Sequence, residues 1–252
     1  MSNKIALVTG GSRGLGRDMA INLAKKGLNL IVTYHSNKEA ALEVVSEIES
    51  IGQQAIALQL DVTRISEFET FADELKTALN STFQTDKIDF LINNGGFIYF
   101  SPLVEVNEKQ LDDLLNVHFK GPFFLTQKLL KQMNDGGGII NVSTGLARFS
   151  KPGFGAYAAA KGAVETLTRY QAKELGARGI RVNVIAPGPV ETDVMGGVVR
   201  DNKEMNKHLA SETALGRVGL PEDIGGIVAF LCTDDAKWIN GQRLEISGGM
   251  LL

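Results

Sequence analysis

The chain has a single cysteine, Cys232, a single tryptophan and six prolines in 252 residues. A lone cysteine closes no internal disulfide, so the fold stands without a covalent staple, as suits a reducing compartment. No apolar run approaches the roughly 18 residues of a membrane helix, and residues 1–9 carry no signal-peptide core. Neither charge dominates. The 26 Lys and Arg against 29 Asp and Glu leave a formal charge of −3, which argues against a nucleic-acid partner. Linkers rich in Ser, Gly and Pro are absent, as are internal repeats, so the expectation is one domain over residues 1–252. Apolar residues at 44% and charged ones at 22% exclude a disordered or fibrous chain. These absences point to a soluble, cytoplasmic protein without a membrane contact.

What is present is an alternation. Short β-branched runs at 4–9, 28–34, 54–60, 88–93, 138–142, 180–185 and 242–246 read as strands. Between them, residues 14–26, 38–51, 66–80, 108–133, 156–176 and 221–232 repeat apolar residues every three or four positions, as amphipathic helices do. Strands separated by helices require right-handed crossovers, hence a seven-stranded parallel sheet covered on both faces. The fold class is therefore α/β, a doubly wound Rossmann-type domain. Gly136, Gly137 and Gly138 read as a tight helix-to-strand turn. Residues 187–221 break the rhythm with mixed polarity and one short helix at 198–210. Following the sixth strand, they are expected over the carboxyl edge of the sheet, where such folds bind ligands, or else to serve packing.

Thr9, Gly10, Gly11, Ser12, Arg13, Gly14, Leu15 and Gly16 connect the first strand to the first helix. Glycines here let backbone approach a pyrophosphate, and the helix start offers unpaired N–H groups. Without a following Gly-Lys-Ser/Thr this is not a Walker loop, which argues against phosphoryl transfer. The pattern TGxxxGxG resembles that of the short-chain dehydrogenase/reductase family, and the likeness runs along the whole chain. Asp61 and Val62 match the pair that contacts adenine in that family. Asn93, Asn94, Gly95 and Gly96 resemble its NNAG motif, with Gly95 in place of Ala. Asn116 matches its catalytic Asn, Tyr157 to Lys161 its YxxxK motif, and Pro187, Gly188, Val190 and Thr192 its PG…T segment; the carboxyl end NGQ…SGG is similar too. The resemblance implies an oxidoreductase that moves a hydride between a nicotinamide cofactor and a carbonyl or secondary alcohol. It also implies a dinucleotide region over about 1–140 and a catalytic and substrate region over about 141–252, with 187–221 as the substrate loop. A homotetramer is implied as well, with a dimer as runner-up.

The residues support that chemistry. Tyr157 and Lys161, four apart, share one helix face. A free Tyr titrates near pH 10, and a nearby ammonium favours its phenolate, so the pair can exchange a proton with a substrate oxygen. In the family the Lys also holds the nicotinamide ribose. A Ser usually stands 13 residues before the Tyr; here that position is Thr144, with Ser143 as fallback. Asn116 precedes Pro122 by six residues, so a kink is expected in its helix. His118, His35 and His208 form no metal-ligand spacing, and no metal is expected. NAD enzymes normally place an acid at the end of the second strand. Tyr34, His35 and Ser36 stand there instead, and Arg13 offers a guanidinium for a 2′-phosphate, so the expected cofactor is NADP(H). A 3-oxoacyl-carrier-protein reductase and a non-catalytic NADP-binding sensor remain as alternatives.

Overall fold

Successive residues of a strand face opposite sides, and here both sides are covered. The structure is a computed structural model describing residues 4–252. Its strands are β1 (Ile5–Val8), β2 (Asn29–Tyr34), β3 (Ala55–Gln59), β4 (Ile88–Asn93), β5 (Met133–Val142), β6 (Arg181–Pro187) and β7 (Arg243–Ile246). Among the described residues they form one parallel sheet in the order β3-β2-β1-β4-β5-β6-β7. The helices are α1 (Gly14–Lys25), α2 (Lys38–Ser50), α3 (Phe68–Phe83), α4 (Glu108–Leu115), α5 (Gly121–Leu129), α6 (Gly155–Leu175), α7 (Val198–Asp201), α8 (Lys203–Ser211) and α9 (Glu222–Leu231).

Alternation divides the core in two. Ala6, Val8, Phe90 and Ile92 pack with Met19 and Leu23 of α1 and Ile224 and Val228 of α9. Ile5, Leu7, Leu91 and Ile139 pack with Phe71 and Leu75 of α3 and Leu125 of α5. At roughly 25 cal/mol per Å² of buried apolar surface, two such layers are the main source of stability. The chain leaves β1 toward β2 on one side and enters β4 on the other. That reversal opens a crevice beyond the carboxyl ends of β1 and β4, the place where doubly wound sheets take ligands.

Three expectations change. The single helix expected over 108–133 is α4, a π-helical turn at Asn116–Lys120, and then α5. Pro122 has no N–H for the His118 carbonyl, and the widened turn just before it absorbs that loss, with the Gly121 amide donating to the Asn116 carbonyl. The glycine triplet is not a helix-to-strand turn. It lies inside β5, where Met133 pairs with Ile88 and Gly138 with Phe90, so extra residues bulge out around Gly136 at φ 78°. The short helix expected over 198–210 is two helices, α7 and α8, divided at Asn202, whose side chain accepts from the Met205 amide and caps the second.

Candidate active site

The glycine turn is built so that backbone meets backbone. A Cβ on Gly16 would stand 2.2 Å from the Gly10 carbonyl oxygen and 2.5 Å from the Asn94 amide nitrogen. Asn94 Nδ2 donates to the carbonyls of Thr9 and Gly10, while the Thr9 hydroxyl accepts from the amides of Asn94 and Gly95. The ends of β1 and β4 are thereby tied into one rigid cradle. No side chain caps the start of α1, so its first amides point outward. Arg13 beside them is exposed, and its side chain makes no hydrogen bond or ion pair among the described residues. A cradle that a Cβ would fill, open amides and an unengaged guanidinium together fit a dinucleotide pyrophosphate and its 2′-phosphate.

From this cradle a cleft of about 1300 Å³ runs across the carboxyl edge of the sheet. It is longer than the few hundred Å³ a small ligand needs, and has room for a dinucleotide and a second molecule. Asn116, Ser143, Thr144, Tyr157 and Lys161 all line it, brought together from the π turn, the end of β5 and α6. Tyr157 and Lys161 are buried. Burial pushes the Tyr157 phenol up, against the pull of its hydrogen bond with Thr144, so the phenol holds its proton at neutral pH. Burial also pushes the Lys161 ammonium down to about 7. Its Nζ donates to the Val142 carbonyl at 2.7 Å and stands 5.8 Å from the Tyr157 ring centroid.

Ser143 and Thr144 point apart, as alternation requires. The Ser143 hydroxyl donates to Glu165 Oε1 at 2.6 Å, whereas the Thr144 hydroxyl accepts from the Leu146 amide and acts to lower the Tyr157 phenol. The far part of the cleft is apolar. Phe97 packs edge-on against Tyr99, and Phe100 against Phe154; Met195 and Met205 face them from the 187–221 segment, and Met250 from the carboxyl tail.

Residues 10–251 match the family described as enoyl-(acyl carrier protein) reductase. The hydroxynaphthalene reductase-like protein Arp2 of Metarhizium brunneum is 37% identical over 99% of this chain and 95% of its own. The chain belongs to the short-chain dehydrogenase/reductase family. Two solved reductases of this kind superpose closely. LugOII, a promiscuous reductase of lugdunomycin biosynthesis that reduces a ketone at C1, is 38% identical over 100% of this chain and 99% of its own, with a TM-score of 0.95. LanV, an angucycline C-6 ketoreductase solved with bound NADP, is 35% identical over 98% and 95%, with a TM-score of 0.93.

Most positions carried over from the family motifs line the cleft: those of the glycine turn, His35, Asp61, Val62, Gly95, and Pro187, Gly188, Val190 and Thr192. Asp61 is held ionised. Burial raises its carboxyl, but the Thr63 hydroxyl and amide, His35 and Arg64 lower it further. Three expected positions fall outside. Asn93 is turned into the sheet interior, donating to Asn141 Oδ1 and Thr126 Oγ1, and its neighbour Asn94 lines the cleft instead. Tyr34 is buried at the end of β2, and Ser36 lies beyond the cleft wall. His118, which the sequence marks only as lacking metal-ligand spacing, lines the cleft beside Tyr157. Its Nε2 donates to the Phe97 carbonyl at 2.6 Å, and its ring stands edge-on to Tyr157 with centroids 5.1 Å apart. Burial, then the Lys161 charge, holds it well below the usual histidine range, so it is neutral. The π turn that carries it inward is a signal that Pro122 gives only indirectly. Among the described residues no helix is long and apolar enough to cross a membrane.

Proposed function

We propose that this chain is an NADP(H)-dependent carbonyl reductase of bulky, ring-bearing ketones. The observation that carries the reading is the buried Tyr157, with Thr144 and Lys161 beside it in a cleft continuous with the glycine cradle. Gly10, Ser12, Arg13, Gly14, Leu15, Gly16 and Asn94 form the pyrophosphate end, with His35 and Arg13 beside the 2′-phosphate and Asp61 and Val62 beside the adenine. Pro187, Gly188, Val190 and Thr192 flank the nicotinamide end. The chemistry the reduced cofactor supplies when bound is a hydride for the carbonyl carbon. Thr144 orients the carbonyl oxygen, and Tyr157 gives its hydroxyl proton to that oxygen as it becomes an alcohol. Lys161, its ammonium pushed down to about 7 by burial, stands behind the phenol to hold the ribose and to favour the phenolate left behind. Asn116, opening the π turn, connects this group to solvent.

The substrate class rests on the cleft and on two kinds of relative. Phe97, Tyr99, Phe100, Phe149 and Phe154 offer flat apolar contacts for fused rings. Arp2 carries a hydroxynaphthalene reductase-like name, and LanV has been solved with rabelomycin as well as NADP. The 187–221 segment serves as the substrate loop. The family's usual setting suggests a cytoplasmic homotetramer, with exposed Phe123 and Phe124 on α5 and the edge strand β7 available for contact; a solution mass near 27.2 kDa would contradict it. A sensor that binds NADP without turnover is disfavoured by the intact Tyr157–Lys161 pair.

The test is turnover of a polycyclic ketone panel followed by nicotinamide absorbance. Tyr157→Phe should lower kcat by about 10²–10⁴-fold while NADPH affinity, read by fluorescence titration, stays within about twofold. NADPH should bind more tightly than NADH, and Arg13→Ala should narrow the gap. Near-normal turnover by Tyr157→Phe would remove the proton-transfer role.

A further inference from the structure

Two hydroxyls adjoin at the end of β5, and only one faces the reacting centre. Ser143 is turned toward α6, where its hydroxyl donates to Glu165 Oε1 at 2.6 Å. The same carboxylate oxygen accepts from Arg243 Nε of β7 at 2.7 Å, and both side chains are largely buried. Arg243 reaches further: its Nη2 donates to the Thr144 carbonyl at 3.2 Å, and its Nη1 to Glu245 at 2.9 Å. Glu245 in turn binds Arg148, whose Nη2 donates to the Met250 carbonyl at 3.0 Å. A continuous ladder of charge-assisted bonds therefore joins the catalytic strand end to the tail residue that walls the cleft. Such bonds are short and directional, which suits them to fixing a backbone segment.

We propose that Glu165 and Arg243 are positioning residues that assign the active hydroxyl to Thr144 by withdrawing Ser143 and clamping the strand end from behind. A hydroxyl whose proton is committed to a carboxylate cannot donate it to a substrate oxygen. Two hydroxyls on consecutive residues leave the choice open to a small rotation of the strand end, and the pull of Arg243 on the Thr144 carbonyl opposes that rotation. Neither residue touches the cofactor cradle, so the clamp acts on the chemical step and not on dinucleotide binding. The inference rests on the reductase reading above, with Tyr157 as proton donor.

The test compares sensitivities in two backgrounds. In the native protein Thr144→Ala should lower kcat far more than Ser143→Ala. In Glu165→Leu, which frees Ser143 and unseats Arg243, kcat should fall about tenfold to a hundredfold with the KM for NADPH within about twofold. In that background the two sensitivities should converge, Ser143→Ala becoming costly. Arg243→Lys should retain more kcat than Arg243→Met. Glu165→Gln, which preserves shape and an acceptor for Ser143, guards against misfolding and should fall between native and Glu165→Leu. The clamp is overturned if folded Glu165→Gln and Glu165→Leu both turn over at the native rate while Thr144→Ala does not. It is equally overturned if the Thr144 and Ser143 sensitivities are unchanged in Glu165→Leu. Native turnover in Tyr157→Phe would instead defeat the reductase reading and leave the clamp's geometry untouched.

Discussion

The two ends of the cleft are built on different principles. At the phosphate end the contacts are made by backbone: Gly16 against the Gly10 carbonyl, Thr9 and Asn94 tying two strand ends, open amides at the start of α1. At the substrate end they are made by side chains, several of them partly exposed, that pack on one another. Phe100 is 58% exposed, and Met195 and Met205 are 43% and 40% exposed. A backbone cradle tolerates almost no change, because an added atom has nowhere to go. A side-chain wall can exchange one apolar group for another and shift its specificity without loss of fold. On the proposed function, the first end therefore fixes the cofactor, and the second leaves the substrate adjustable.

The hardest way to break that contrast is Gly16→Ala. Its methyl group would overlap the Gly10 carbonyl and the Asn94 amide, so the cradle must open. The expected outcome is loss of NADPH affinity by at least about a hundredfold and of stability by about 1–3 kcal/mol. Fluorescence titration and a thermal melt would check it; native affinity would mean that the turn is softer than its contacts require.

Between the two ends, Lys161 carries a cost of burial. Its folded pKa of about 7 lies below the ordinary 10.5, so between those values the unfolded chain binds a proton that the folded chain lacks. Stability from this group therefore rises with pH through that window, and the penalty is complete below pH 7. Lys161→Met should be inactive and yet, without cofactor, more stable at pH 7 by a margin on the order of 1–3 kcal/mol, after loss of the bond to Val142. That margin should shrink as pH rises toward 9. Denaturant midpoints of both proteins across pH 7–9 would test this, and a pH-independent margin would refute it.

At the substrate end the effect is smaller. Phe100→Ala removes the edge-on contact with Phe154, and the KM for a fused-ring ketone should rise about three- to tenfold, near 1 kcal/mol. The KM for a small ketone and the affinity for NADPH should hold. A shift in both substrates alike would place Phe100 in the fold and not in the wall.

The same contrast decides what was legible in the sequence. Six of the seven strands and the TGxxxGxG turn stand where the β-branched runs and glycines put them, because each follows from a local rule of burial or backbone approach; β5 instead begins at Met133 and takes in the glycine triplet. The Asn93 side chain stands outside the cleft because one residue of alternation separates a side chain facing Thr126 from one facing the cleft. His118 was missed because a π turn rotates the residues after Asn116 in a way that 3.6-residue periodicity does not encode. The division of labour between Thr144 and Ser143 was left open because it depends on Glu165 and Arg243, which are 22 and 99 positions from their partners at the end of β5. The substrate wall gathers side chains from four separate stretches, of which the broken rhythm over 187–221 marks one; Met250 of the carboxyl tail carries no such mark.

The smallest expected effect lies in the pair Gly95 and Gly96, adjacent residues that differ in what they can accept. A Cβ on Gly96 would meet His118 Cε1 at 2.4 Å, on a ring fixed by its bond to the Phe97 carbonyl and its contact with Tyr157. A Cβ on Gly95 would meet Thr9 Oγ1 at 3.5 Å, the Gly10 amide nitrogen at 3.6 Å and Val62 Cγ1 at 3.6 Å, all ordinary contacts. The departure from the family's Ala at position 95 therefore has no steric cause, and it gives no ground for reading the chain as inactive. Restoring Ala there reduces the freedom of the unfolded chain, which should raise stability by about 0.5 kcal/mol and leave kcat unchanged. Gly96→Ala should instead lower kcat, because His118 must move against Tyr157. Melting curves and turnover of the two variants side by side would separate the positions, and a Gly95→Ala protein less stable than the native one would show that the turn has no room to spare.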